Sequence, residues 1–234
     1  MKACIVSIGD ELLIGQTVNT NAGWIGEQLS LIGVDVIQTL VVSDKEHEII
    51  RALDESAKHA DVVLITGGLG PTKDDITKHT LCSYFNTHLE LNHEVLKRIE
   101  DFFTKRGRVM LDVNVKQAEI PVGCTMITNH KGTASGMWFE KESKIFVSMP
   151  GVPYEMKGMM TDDILPRLAQ KSKTRIVHRT LLTTGLGESF IADKITDIEN
   201  EIRANGLGLA YLPSPGLVKL RLTAKGENKA AIQE

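Results

Sequence analysis

Two alternating periods run through the first 170 residues and narrow the possible folds more than any other feature. The runs "ACIVSIG" (3–9), "VDVIQTLVV" (34–42) and "DVVLIT" (61–66) are rich in β-branched residues and read as strands. Between the first two, "NAGWIGEQLSLIG" sets Trp24, Ile25, Gln28, Leu29 and Ile32 at helical spacing and stops at Gly33. "SDKEHEIIRALDESAKHA" repeats the pattern with Ile49, Ile50, Leu53 and Ala57, and Ser43 or Asp44 stands where an N-cap belongs. Strand–helix–strand units of this length require right-handed crossovers and a parallel sheet covered on both faces. An α/β sandwich follows. A closed barrel would need eight such units, and far fewer are present.

Farther along, helices are expected near 75–86 and 93–106, and shorter strands near 124–127, 137–140 and 145–148. "GVPYEMKGMMTDDILPRLAQ" makes a last helix with Pro153 in its first turn, where Met156, Met159 and Met160 read as core filler. Composition shifts at "KSKTR" (171–175). The remainder reads strand (176–184), helix (188–204), strand (207–212), turn "PSPG", strand (217–224). The expected division is a first domain over 1–170 and a small α+β module over 171–234. The ending, "KGENKAAIQE", falls where another helix would begin, so the chain is expected to be a piece of a longer protein or to have a trimmed tail.

Bulk properties exclude several classes. A net charge of -3 gives no sign of a basic nucleic-acid surface or of an acidic tail. No apolar run approaches the roughly 20 residues of a membrane span, and "MKACIVSIGDELL" meets Asp10 and Glu11 too early for a signal peptide. Cys4, Cys82 and Cys124 are too scattered for a zinc site or a disulfide framework, and a reducing cytoplasm is the expected setting. None of the histidines forms an HxxH or HExxH pair.

In an open parallel sheet, ligands bind beyond the carboxyl ends of the strands. The segments there are "GDELLIGQTVNTN", "SDKE" and "GGLGPTKDD", with "NHKGTASG" (129–136) and "SMPGVPYEM" (148–156) at later strand boundaries. "GGLGPT" suits a phosphate, because glycines permit the φ > 0 turns that aim successive N–H groups inward. It is neither a Walker loop nor a Rossmann fingerprint, and a plain tight turn is the bland alternative. Asp74 and Asp75 follow at once. Two carboxylates beside a phosphate repel it unless a divalent cation lies between, a role magnesium fills with one or two carboxylates and phosphate oxygens. The competing account makes them helix-entry acids favoured by the dipole. Asn19 and Asn21 suit a cap or a grip on a ribose or base edge. Lys116, in "NVKQAEIP", is a candidate cation near the phosphate, and "GTASG" is no nucleophile elbow because Ser135 is one position late.

Taken together and in order over residues 1–170, "GDELLIGQTVNTN", "VSD", "GGLGPTKDDIT", "NVKQAEIP", "GTASG" and "MPGVPYEM" resemble the signature blocks of the CinA family, the competence/damage-inducible protein A proteins. Residues 176–225 are similar to the KH-type module that follows in that family. The resemblance implies a three-layer α/β/α sandwich with a mostly parallel sheet, like the molybdopterin-binding domains of molybdenum cofactor biosynthesis. It implies an ADP-ribose pyrophosphatase that needs magnesium, manganese or cobalt and no organic cofactor, yielding AMP and ribose 5-phosphate. Gly67, Gly68, Gly70 and Thr72 would then form the phosphate loop, with Gly132 and Thr133 in a second binding loop. Asp74 and Asp75 would hold the metal, and Asp44 and Glu155 would be further acids of the cleft. Ser135 replaces an expected proline and Met149 an expected leucine, which bears on loop rigidity. Full-length relatives carry a further domain that deamidates nicotinamide mononucleotide, an activity that would belong to the parent protein.

The alternative reading is a pterin- or nucleotide-binding module that does not turn its ligand over. The expected partner is a small-molecule nucleotide, with no membrane, and a homo-oligomer, preferably a dimer, is the expected assembly. RNA binding by the KH-like part is not expected. "TTGLGESF" offers GLG followed by Glu188 rather than a GXXG clamp.

Overall fold

The computed structural model describes residues 1–172 and 174–226. The chain divides into two compact units, Met1–Leu29 with Val34–Lys171, and Ser30–Gly33 with the chain from Ser172 onward. The first unit runs β1 (Lys2–Ile8), α1 (Asp10–Leu13), α2 (Thr20–Leu31), β2 (Asp35–Val42), α3 (Glu46–His59), β3 (Val62–Thr66) and α4 (Thr77–Phe85). It continues with β4 (Leu89–Leu91), α5 (His93–Thr104), α6 (Asp112–Val115), β5 (Glu119–Pro121), β6 (Thr125–Ile127), β7 (Gly136–Lys141), β8 (Lys144–Met149), α7 (Pro153–Met159) and α8 (Leu165–Lys171).

The main sheet has the order β2-β1-β3-β8-β7-β6. The β1 strand pairs in parallel with β2 and β3, and β3 with β8, whereas β7 is antiparallel to β8 and to β6. The α/β architecture with a mostly parallel central sheet is thus present. Side-chain alternation assigns the two faces. Val6, Ile8, Val63, Ile65, Met137, Phe139 and Phe146 share one core with Ile49 and Leu53 of α3 and Leu81 of α4. There Phe85 stacks on Phe139 with centroids 4.1 Å apart. The opposite face is covered from the helix after β8, where a Cβ on Gly136 would lie 3.1 Å from Met159 Sδ. Met156, Met159 and Met160 are at most 2% exposed, as core filler should be. Each fully buried Leu or Ile on these strands contributes about 1.5–3 kcal/mol.

Local differences have physical causes. The long helix after β8 widens into a π turn at Met160–Ile164, which a hydrophobic stripe does not reveal. Lys45 is the N-cap of α3 and no side chain caps it, so Asp44 is free for another role. The α4 helix begins at Thr77, so Asp74 and Asp75 lie in the preceding turn rather than in its first turn. The β4–β5 ladder, three residues on each side, has no counterpart in the sequence reading.

The second unit comprises β9 (Arg175–Thr184), α9 (Glu188–Lys194), α10 (Thr196–Ala204), β10 (Gly208–Ser214) and β11 (Leu217–Gly226). Its antiparallel sheet has the order β10-β11-β9, over a core of Ile191, Leu209, Val218 and Leu220. The single helix expected over 188–204 breaks at Ile195. The helix expected to begin in the final segment falls on 227–234, outside the described residues. No helix among the described residues is long and apolar enough to cross a membrane.

Candidate active site

Parallel pairing of β1, β3 and β8 brings the loops at their carboxyl ends to one place. Gly67 N donates to Met149 O at 3.1 Å, joining the β3 loop to the end of β8. Gly67 has φ 108, and a Cβ there would run into the Ile8 carbonyl. The Gly151 backbone approaches from the third side, so closely that its own Cβ would lie 3.3 Å from Gly67 Cα. Only glycine satisfies that crossing.

Amides tie the remaining segments to it. Asn19 Nδ2 donates to Ser7 Oγ at 2.9 Å, while its Oδ1 accepts from Ala22 N at 3.1 Å and so caps the start of α2. Asn21 Nδ2 donates to Gly151 O at 2.8 Å. The turn opening α1 is anchored by Asp10 N donating to Asp44 Oδ2 at 3.0 Å. Asp75 folds back on its own loop, accepting at Oδ2 from Thr72 N at 2.8 Å and Thr72 Oγ1 at 2.5 Å. A Cβ on Gly70 would lie 2.5 Å from that same oxygen, so the carboxylate fills the space a side chain would take.

These segments enclose a cleft of about 480 Å³. Asn19, Asn21, Asp44, Gly67, Gly68, Gly70, Asp74, Asp75, Thr133 and Glu155 all line it. Thr72, Gly132 and Lys116 do not. Thr72 serves the turn closed by Asp75. Gly132 is pressed against the Glu155 carboxylate, where any Cβ would overlap it. Lys116 begins the 3-10 turn Lys116–Ala118, and its carbonyl accepts from Lys78 Nζ at 2.7 Å. The next residue, Gln117, is the one that reaches the cleft. Lys78 also donates to Glu119 O at 2.9 Å, and burial pushes its pKa down, so its charge serves the protein frame.

The lining contains Glu11, Asp44, Asp74, Asp75 and Glu155, and no Lys, Arg or His. Burial raises the Asp44 pKa, the Asp10 N–H bond opposes that, and the charges of Asp10, Glu11 and Asp75 raise it further. Among the described residues no three His, Cys, Asp or Glu side chains gather closely enough to hold a metal by themselves. A hard divalent cation needs no such set when phosphate oxygens and water complete its shell. Asp74 and Asp75, adjacent in this acidic lining, could contribute carboxylate oxygens to such a shell.

The sequence reading missed Arg98 of α5, which holds the segment 129–135 from behind. Its acceptors there include main-chain carbonyls, and no residue pattern announces those. Ser135, at the position where the family resemblance calls for proline, is 5% exposed and accepts from Arg98 Nη2 at 2.9 Å.

Fold and cleft together define an open α/β domain whose candidate site lies at the carboxyl ends of its parallel strands. Residues 4–170 match the family model described as "Probable molybdopterin binding domain", and 178–234 match the "Damage-inducible protein CinA KH domain". The CinA-like protein of Cytophaga hutchinsonii is 47% identical over 232 residues, which is 99% of this chain and 55% of that protein. The one from Flavobacterium psychrophilum is 46% identical over 238 residues, 100% of this chain and 56% of its own length. The crystal structure of CinA from Thermoplasma acidophilum superimposes with a TM-score of 0.64 at 34% identity, covering 72% of this chain and 97% of that one. The chain belongs to the CinA family. It spans about half the length of the curated relatives it matches.

Proposed function

We propose that the first unit hydrolyses a nucleoside diphosphate sugar, ADP-ribose in the first instance, to AMP and ribose 5-phosphate with a divalent cation. The observation that carries this reading is one cleft with two opposed preferences. Its glycine loop suits an anion, while its lining is acidic and without a basic side chain. Asp74 and Asp75 would hold a divalent cation there, which would reconcile the two preferences and supply Lewis-acid polarisation of the diphosphate.

The chain's own groups do the rest. Backbone N–H groups of Gly67–Gly70 donate to phosphate oxygens as charge grows on them. Asn19 and Asn21 orient the sugar or base. Asp44 or Glu155 accepts a proton from the attacking water. The water oxygen forms a bond to one phosphorus as the bridging P–O bond breaks, and the two monophosphates leave. A homodimer in the cytoplasm belongs to the same proposal.

The test is Asp75→Asn, which keeps an acceptor for Thr72 and removes the charge. AMP release from ADP-ribose with added manganese, magnesium or cobalt should fall about 100-fold. The lost charge assistance to Thr72 costs only about 1 kcal/mol of stability. Unchanged release would refute the assigned role. A second reading, a binding module without turnover, is favoured by the description of the matched family model. Mass spectrometry that finds bound ligand and no product would select it.

A further inference from the structure

Behind the Thr133–Ala134 wall of the cleft stands a cation that the proposed reaction does not use. Arg98 Nη1 donates to Asn129 O at 2.6 Å and to Gly132 O at 3.0 Å, and Nη2 donates to Thr133 O at 3.1 Å and to Ser135 Oγ at 2.9 Å. Three of these acceptors are main-chain carbonyls, so the planar fork fixes the path of the backbone itself. The far side of the segment is also anchored. Asn129, 2% exposed, donates from Nδ2 to Ala134 O at 2.9 Å and to Glu155 Oε2 at 2.5 Å, while its Oδ1 accepts from Lys131 N at 2.9 Å. A continuous chain of bonds thus runs from α5 through the wall to α7.

We infer that Arg98 is a positioning residue of the cleft. It sets the shape of the Thr133–Ala134 wall and, through Asn129, the aim of the Glu155 carboxylate. The inference rests on the proposed cleft function for its ligand, though not for its geometry. Glu155, with Oε2 held, keeps Oε1 for a proton on a substrate hydroxyl or water.

The test compares wild type, Arg98→Lys and Arg98→Met by hydrogen–deuterium exchange, and by calorimetric titration of ADP-ribose with manganese present. In Arg98→Met the amides of 129–135 should exchange about tenfold faster while those of 67–70 keep their wild-type rates, and affinity should fall about tenfold. A fourth protein, Arg98→Ala, should show the same losses as Arg98→Met, and added guanidinium ion should restore part of both. If Arg98→Met does not fold, Arg98→Lys, which keeps the charge and loses the fork, should show the same local change at smaller amplitude. Unchanged exchange over 129–135, or a rise spread evenly over the first unit, would overturn the inference. Wild-type protein that binds no ADP-ribose would sink the functional reading alone, and the exchange data would still decide Arg98.

Discussion

Gly68 offers a quantitative test of how tightly the phosphate-loop candidate is built. Its φ of 65 is left-handed, and a Cβ would fall on Thr77 Oγ1 and lie 3.1 Å from Thr77 Cβ. Thr77 is 0% exposed, and its hydroxyl has no hydrogen-bond partner among the described residues. Gly68→Ala should cost about 1–2 kcal/mol for the backbone conformation and about 1–3 kcal/mol for overpacking, roughly 2–5 kcal/mol in all. Thr77→Ala loses a buried methyl but removes an unsatisfied hydroxyl, so alone it should stay within about 1 kcal/mol of wild type. In the double variant the oxygen is gone and mainly the backbone cost remains, giving a favourable coupling of about 1–3 kcal/mol. Urea unfolding followed by tryptophan fluorescence reads the first unit alone, because both tryptophans, Trp24 and Trp138, lie in it. Additivity of the single effects would refute the packing argument.

Other expectations concern charge and turn chemistry. The raised Asp44 pKa means the folded state holds that proton more tightly than the unfolded chain, so its favourable contribution exists at low pH and is lost as pH rises through the folded value. Asp44→Asn should therefore raise Tm at neutral pH and lose that advantage below the ordinary carboxylate range; an advantage that persists in acid would contradict this. Glu142 and Ser143, with φ of 52 and 62, form the two-residue turn between β7 and β8. Left-handed positions there favour Asn-Gly, and the double replacement should stabilise by about 1–2 kcal/mol. A calorimetric scan with no upward shift would count against it.

Much of the fold was readable because strands buried on both faces must be continuous apolar runs, and "DVVLIT" is such a run. The β4–β5 ladder escaped because three residues carry no detectable period. The break at Ile195 and the π turn at Met160–Ile164 escaped because both keep their apolar stripe through the irregularity. In the site, glycines and paired acids stand out by composition, and the parallel sheet supplied the rule that gathers their loops. What composition cannot convey is side-chain direction. Lys116 and Gln117 differ by one position in a tight turn, and only the second faces inward. Asp75 illustrates the same limit, since its bonds to Thr72 depend on where the helix starts.

The β8 strand connects two edges of the first unit with opposite uses. It leaves the Lys141–Lys144 turn and arrives, roughly 20 Å later, at Pro150 and Gly151 on the cleft wall. Glu142 is exposed at the remote end. A dye or surface linker attached at Glu142 would leave the mouth of the cleft unobstructed, giving an immobilised protein whose ligand exchange can be followed without the anchor intruding.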